Sequence, residues 1–156
     1  MEQKSNIETQ LRTEGYIVST TVGYSMWPML KNRRDRVIIY AYETGSFPKQ
    51  NDLILYRRDN GKYILHRALW VDDECCIVRG DNTYRLEIVR FGQILGRVTE
   101  FYRKDRHHTV DSGFYKAYVW TWRILFPIRA LLRGLKFIIR HCGSLAKRIL
   151  KKILKK

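Results

Sequence analysis

Six short runs rich in β-branched and aromatic residues, separated by turn signals, dominate the first two thirds of this chain. They are YIVSTTV from residue 16, RVIIYAY from 36, DLILYRR from 52, KYILHRALWV from 62, CCIVRG from 75 and ILGRVTEFYR from 94. Such residues suit a pleated, half-buried surface, while the intervening ETGSFPKQND and RDNGK are made of turn formers. Asp59-Asn60-Gly61 is a strong hairpin signal. The pattern predicts a mainly β domain. Ahead of it, SNIETQLRTEG reads as a short helix, with Ser5 and Glu8 as a capping box and Gly15 as its stop. A chain of 156 residues can bury one core without metal or disulfide support. Its cysteines do not suggest a disulfide framework: Cys75 and Cys76 are adjacent and point to opposite faces of a strand, and Cys142 is far away in sequence.

Charge divides the chain. Residues 1–113 carry 18 Lys+Arg against 15 Asp+Glu, whereas residues 114–156 carry 12 Lys+Arg and no acid. Such a block addresses a polyanion or an anionic membrane surface. At 100° per residue Arg129, Arg133, Lys136, Arg140, Lys147 and Lys151 fall in one narrow arc, and Ile128, Leu131, Leu132, Leu135, Ile138, Ile139, Leu145, Ile149, Leu150 and Ile153 lie opposite. Tyr118, Trp120 and Trp122 precede this stripe, as interfacial aromatics do. The expected organisation is a mainly β domain over 1–105, a polar linker over 106–113, and a basic amphipathic tail over 114–156. Helices in that tail, started or kinked at Pro127 and broken at Gly143-Ser144, would lie on an anionic membrane, with the alternative that they pack on the protein's own core. The aliphatic face fits lipid better than a nucleic-acid backbone. The N-terminal MEQKSNIETQLRTEG has neither the apolar region of a cleavable signal peptide nor a membrane-spanning run.

Within VGYSMWPML, Ser25 sits at a strand-to-turn corner. Gly23 permits close backbone approach, Pro28 fixes the chain, and Met26 and Trp27 can anchor the corner, so that the hydroxyl is held on a rigid element. A plain turn serine would read the same way, so a nucleophile needs a base. Of four histidines only His66 lies inside a strand-like run; it is either a half-exposed strand residue or the general base, since an imidazole titrates near pH ~6.5. Asp81, in RGDNTYRLE, is the candidate acid, or an ordinary turn aspartate. No His and Cys spacing suits a metal site, and no cofactor is expected.

In order and spacing, GYSMWPML, NDLILYRR, YILHRALW, IVRGDNTYRLE and ILGRVTEFYR resemble the signal peptidase I group of serine endopeptidases and the related self-cleaving SOS repressors. The resemblance covers residues 15–104 and is nearest to the archaeal and endoplasmic-reticulum branch, whose base is histidine. It implies an antiparallel β scaffold that binds an extended peptide or preprotein by strand addition, with small residues before the scissile bond. It further implies Ser25 as nucleophile, His66 as general base, Asp81 as orienting acid, and an oxyanion corner at Gly23, Ser25 and Met26 built on the Ser25 N–H. Where the histidine branch often has a second aspartate, this chain has Glu87, a candidate supporting acid. Gly23 also replaces a side-chain donor found in some relatives. The usual transmembrane helix before the serine strand is replaced here by the 5–14 helix, which leaves open the side of the membrane, a role in trimming leaders from small modified peptides in the cytoplasm, and a non-catalytic peptide-binding or nucleic-acid-binding role.

Overall fold

A computed structural model of the chain describes residues 2–43 and 45–153, with side chains described over 7–43 and 45–139. The elements are α1 (Glu2–Glu14), β1 (Tyr16–Thr20), β2 (Arg36–Ala41), β3 (Leu53–Arg57), β4 (Tyr63–Val71), β5 (Cys75–Arg79), β6 (Glu87–Arg90), a single 3-10 turn (Phe91–Gln93), β7 (Ile94–Arg103), β8 (Arg106–Thr109), α2 (Gly113–Ile124) and α3 (Phe126–Ile153). The fold is mainly an antiparallel β sheet with a short N-terminal helix and C-terminal helices, as the strand-like runs predict.

The strands run in the order β1-β2-β7-β3-β4-β5-β6, with β8 also paired to β7. β3 lies mid-sheet and is buried on both faces. Leu53 and Leu55 join one cluster with Leu11, Val37, Ile39, Val98 and Phe101, while Ile54 and Tyr56 join a second with Cys76, Val78 and Val89. Strand alternation produces this two-sided core from one five-residue strand. The β3–β4 connection turns at Asp59-Asn60-Gly61, where the Arg58 amide donates to the Lys62 carbonyl at 2.9 Å and Gly61 adopts φ +76°. That turn sets the register, pairing Tyr56 with Ile64 and Ile54 with His66.

α1 ends as expected: Gly15, at φ +77°, donates its amide to the Leu11 carbonyl at 3.1 Å. Its start differs, because the helix already runs at Glu2 and Ser5 lies inside it rather than at a cap. Glu8 ties the helix to the sheet through the Tyr63 hydroxyl at 2.9 Å and Arg57 at 3.1 Å.

Two strands escape the sequence pattern. β6 spans only four residues, of which Val89 is buried and Ile88 is exposed. β8 occupies part of the segment read as a linker. Arg106–Thr109 is polar and would not form a strand alone, but β7 offers it a ladder from Glu100↔Thr109 to Arg103↔Arg106. His108 stacks on Phe101 with ring centroids 5.1 Å apart, and His107 reaches Glu100 at 2.6 Å. Tertiary pairing here overrides weak local propensity.

The chain divides into two compact units, Met1–Val119 and Trp120–Lys156. The division falls inside α2 rather than at residue 114, because Tyr115 and Val119 are buried in the first core cluster. In the second unit, Pro127 is the second residue of α3, where its missing N–H costs least. α3 runs without a break through Gly143 and Ser144, contrary to the expectation of two pieces. The Arg129 guanidinium lies 3.5 Å from the Trp122 ring centroid. The described aliphatic side chains of the stripe are exposed, Leu131 to 72%. Among the described residues no helix is long and apolar enough to cross a membrane. The side chains of Arg140, His141, Cys142, Leu145, Lys147, Ile149, Leu150, Lys151 and Ile153 lie outside the described residues.

Candidate active site

Ser25 stands in the turn that links β1 to β2. Gly23 has φ +100°, a conformation that L side chains rarely adopt, and its amide donates to Asn32 Oδ1 at 2.9 Å. That N–H is therefore spent on the turn. Met26 is 5% exposed and, with Met29 and Leu30, sinks into the first core cluster. Trp27, 45% exposed, does not share in this anchoring; it precedes Pro28 through a cis peptide bond.

A second turn braces the serine. The Asn82 amide donates to the Ser25 carbonyl at 2.7 Å, and the Asn82 side chain donates to the Tyr24 carbonyl at 3.2 Å. This turn closes on itself through the Thr83 amide and hydroxyl, which donate to the Gly80 carbonyl at 3.0 and 3.1 Å. Gly80 follows β5 and lies one step beyond the Arg67↔Arg79 pair, facing His66. A Cβ placed on Gly80 would sit 2.7 Å from the Ser25 carbonyl oxygen, 2.9 Å from Ser25 Cβ and 3.0 Å from His66 Nε2. Ser25 Cβ and His66 Nε2 are therefore at most about 5.9 Å apart, which brings the two side chains to one place in the site. The missing side chain of Gly80 is the space in which Ser25 and His66 meet.

His66 is 5% exposed. Burial lowers its pKa from the usual value; Glu87 pulls the other way, Arg58 adds to the lowering, and Asp81 raises it slightly. The imidazole is thus neutral at pH 7 and able to take a proton. Its Nδ1 lies 3.2 Å from the Tyr56 hydroxyl, which in turn donates to Glu87 Oε2 at 2.9 Å. Glu87 Oε1 is 3.9 Å from Nδ1. Arg58 grips the same carboxylate from the other side with Nε at 2.8 Å and with Nη2. Burial pushes the Glu87 carboxyl up, but the hydrogen bonds from Arg58 and Tyr56 outweigh it and hold the group below its ordinary range.

Asp81 has a different principal partner from the one the family resemblance implies. Its carboxylate takes Arg67 Nε at 2.8 Å and Nη2 at 2.7 Å, and accepts from the Tyr118 hydroxyl at 3.1 Å. Arg67 also donates to the Tyr115 hydroxyl at 2.7 Å and the Asn51 carbonyl at 3.1 Å. Adjacent residues on a strand face opposite ways, so His66 and Arg67 diverge, and Asp81 goes with Arg67. Glu87, the supporting candidate, is the acid bound to His66 through Tyr56.

Sequence reading missed Tyr56, Arg58, Arg67 and the spatial role of Gly80. The hairpin turn held the signal for the first: in a register centred on Asn60, Tyr56 is the diagonal neighbour of His66. His107 and His108 lie in β8. Among the described residues no cluster of His, Cys, Asp or Glu is placed to hold a metal ion.

Ser25, His66 and Glu87 line a cleft of about 500 Å³ whose walls include Ile17, Leu30, Val37, Ile39 and Leu55, with Arg58, Thr83 and Arg85 also on its lining. An apolar trough with a few convergent polar groups suits a small molecule or a peptide segment. Compared with known proteins, the chain matches no protein-family model and no curated protein.

Proposed function

We propose that the β domain is a serine endopeptidase of the signal peptidase type, which cleaves an extended peptide or preprotein segment after small residues. The observation that carries this reading is the approach of Ser25 Cβ and His66 Nε2 to the same point above Gly80, on the lining of a mainly apolar cleft. Ser25 attacks the scissile carbonyl while His66 takes the hydroxyl proton; His66 then gives that proton to the leaving amine, and water hydrolyses the acyl-enzyme. Backbone N–H groups of the serine turn, that of Ser25 foremost, stabilise the oxyanion. Ser25→Ala should abolish cleavage of a peptide with small residues before the scissile bond while the fold holds, because one half-buried hydroxyl adds little to stability. Cleavage that survives in Ser25→Ala rejects the assignment.

The basic C-terminal helix supplies the address. Residues 114–156 contain no acid, and the exposed aliphatic stripe of α3 runs beside its cations, a combination suited to an anionic lipid surface. Each Lys or Arg near such a surface contributes about 1 kcal/mol at low screening. Full-length protein should sediment with anionic vesicles more than with neutral ones, and high salt should release it only in part. Binding to RNA or DNA without binding to vesicles would replace this reading by a nucleic-acid arm.

A further inference from the structure

We propose that Tyr56 is the positioning residue of this site: its hydroxyl couples the Glu87 carboxylate to His66 Nδ1 and so fixes which ring nitrogen carries the proton. This rests on the peptidase reading for its purpose, but not for its geometry.

Donor counting leads to it. Glu87 is ionised and can only accept. Tyr56 is almost fully buried; burial and then Glu87 raise its pKa, so the phenol keeps its one proton. That proton goes to Glu87 Oε2 at 2.9 Å. The phenol oxygen facing His66 Nδ1 at 3.2 Å is then an acceptor, and Nδ1 must supply the hydrogen. With the proton on Nδ1, the Nε2 lone pair is left on the Ser25 side, next to Gly80. The opposite tautomer would point a donor at the serine and leave two acceptors facing each other across 3.2 Å.

The remaining parts suit the role. Glu87 Oε1 is 3.9 Å from Nδ1, too far for a direct hydrogen bond, so the carboxylate needs the phenol as its intermediary. Arg58 holds both oxygens of Glu87, with Nε on Oε2 and Nη2 on Oε1. The charged and titratable groups acting on His66 are Glu87 from β6, Arg58 at the end of β3 and Asp81 after β5; of the two acids Glu87 has the stronger influence. When His66 takes the serine proton, the same chain faces the imidazolium with a fixed negative charge at one remove. The arrangement does for His66 what a directly bound aspartate does in the best-known serine triads, with a hydroxyl inserted.

The test is nitrogen-resolved NMR of the His66 ring in the full chain, together with steady-state kinetics. The unmodified protein should hold neutral His66 as Nδ1–H, whereas Tyr56→Phe, which removes one oxygen and keeps the ring, should shift the population toward Nε2–H. Turnover in Tyr56→Phe should fall about ten- to a hundredfold with KM little changed, as for loss of an oriented base. An Nε2–H ring in the unmodified protein overturns the proposal, and so does an unchanged tautomer in Tyr56→Phe even if stability drops, since that would leave Tyr56 as core packing alone. If no peptide is cleaved by any form while the tautomer shift occurs, the coupling stands and the peptidase reading falls.

Discussion

His66 and Arg67 are consecutive residues of β4, both almost fully buried, and the pleat sends them into two different polar environments. On the Arg67 side the guanidinium donors are taken by Asp81, Tyr115 and Asn51. On the His66 side one ring nitrogen is engaged and the other faces Ser25 at the cleft. Burial of a polar group is thus put to two uses within one strand. A group with its hydrogen-bonding capacity committed can only hold its neighbours in place, whereas a group with one position left open in a desolvated pocket can exchange a proton. The two sides are also linked: the Arg67–Asp81 pair fixes the turn whose Asn82 holds the Ser25 carbonyl.

The largest expected effect comes from breaking the holding side. Arg67→Leu leaves Asp81 buried without its bidentate partner, and loss of one member of a buried pair costs about 3–5 kcal/mol. Urea denaturation should show that loss, and the double variant Arg67→Leu/Asp81→Leu should recover much of it, because two apolar residues leave no unpaired charge. A single variant as stable as the parent would show that the two sides of β4 do not differ in the way described.

The difference between the sides also sets what could be read from the sequence. Runs rich in β-branched and aromatic residues between turn formers were legible, because such residues suit a pleated, half-buried surface, and six strands follow from them. β8 was not legible, because RHHT becomes a strand only where the edge of β7 is present. Ser25 and His66 could be singled out as candidates, since few residue types can serve as nucleophile and base, and the structure brings the two side chains together beside Gly80. The acid could not be assigned in the same way. Asp81 and Glu87 are six residues apart on one strand-turn-strand unit, and the choice depends on which face each side chain takes. The family resemblance favours Asp81; the sheet puts Glu87 behind Tyr56 and gives Asp81 to Arg67.

A smaller effect should come from filling the space where serine and histidine meet. Gly80→Ala places a methyl 2.7 Å from the Ser25 carbonyl oxygen and 3.0 Å from His66 Nε2, so one or both must shift. Displacement of about 1 Å at a reacting pair costs on the order of a hundredfold in kcat/KM. The methyl should leave Tm changed far less than Arg67→Leu does. Equal kcat/KM in Gly80→Ala would mean that the closeness of Ser25 and His66 at this point has no catalytic use.

The smallest effect is a shift along the pH axis, and it separates the two acids. Burial holds the His66 pKa below its ordinary value, so kcat/KM should rise with pH through an inflection below 6.5 as the imidazole loses its proton and becomes a base. Glu87 is the strongest influence keeping that pKa from falling further, and Arg58 works in the opposite direction. Glu87→Gln removes the first and leaves the second without its counter-charge, so the inflection should move to lower pH. Asp81→Asn should move it the same way by less, because the Asp81 charge acts more weakly on the imidazole and is already matched by Arg67. Its main effect should instead appear in urea, on the side of β4 where Arg67 loses its carboxylate. A pH profile in which Asp81→Asn shifts the inflection more than Glu87→Gln would reverse the order and make Asp81 the acid that governs His66.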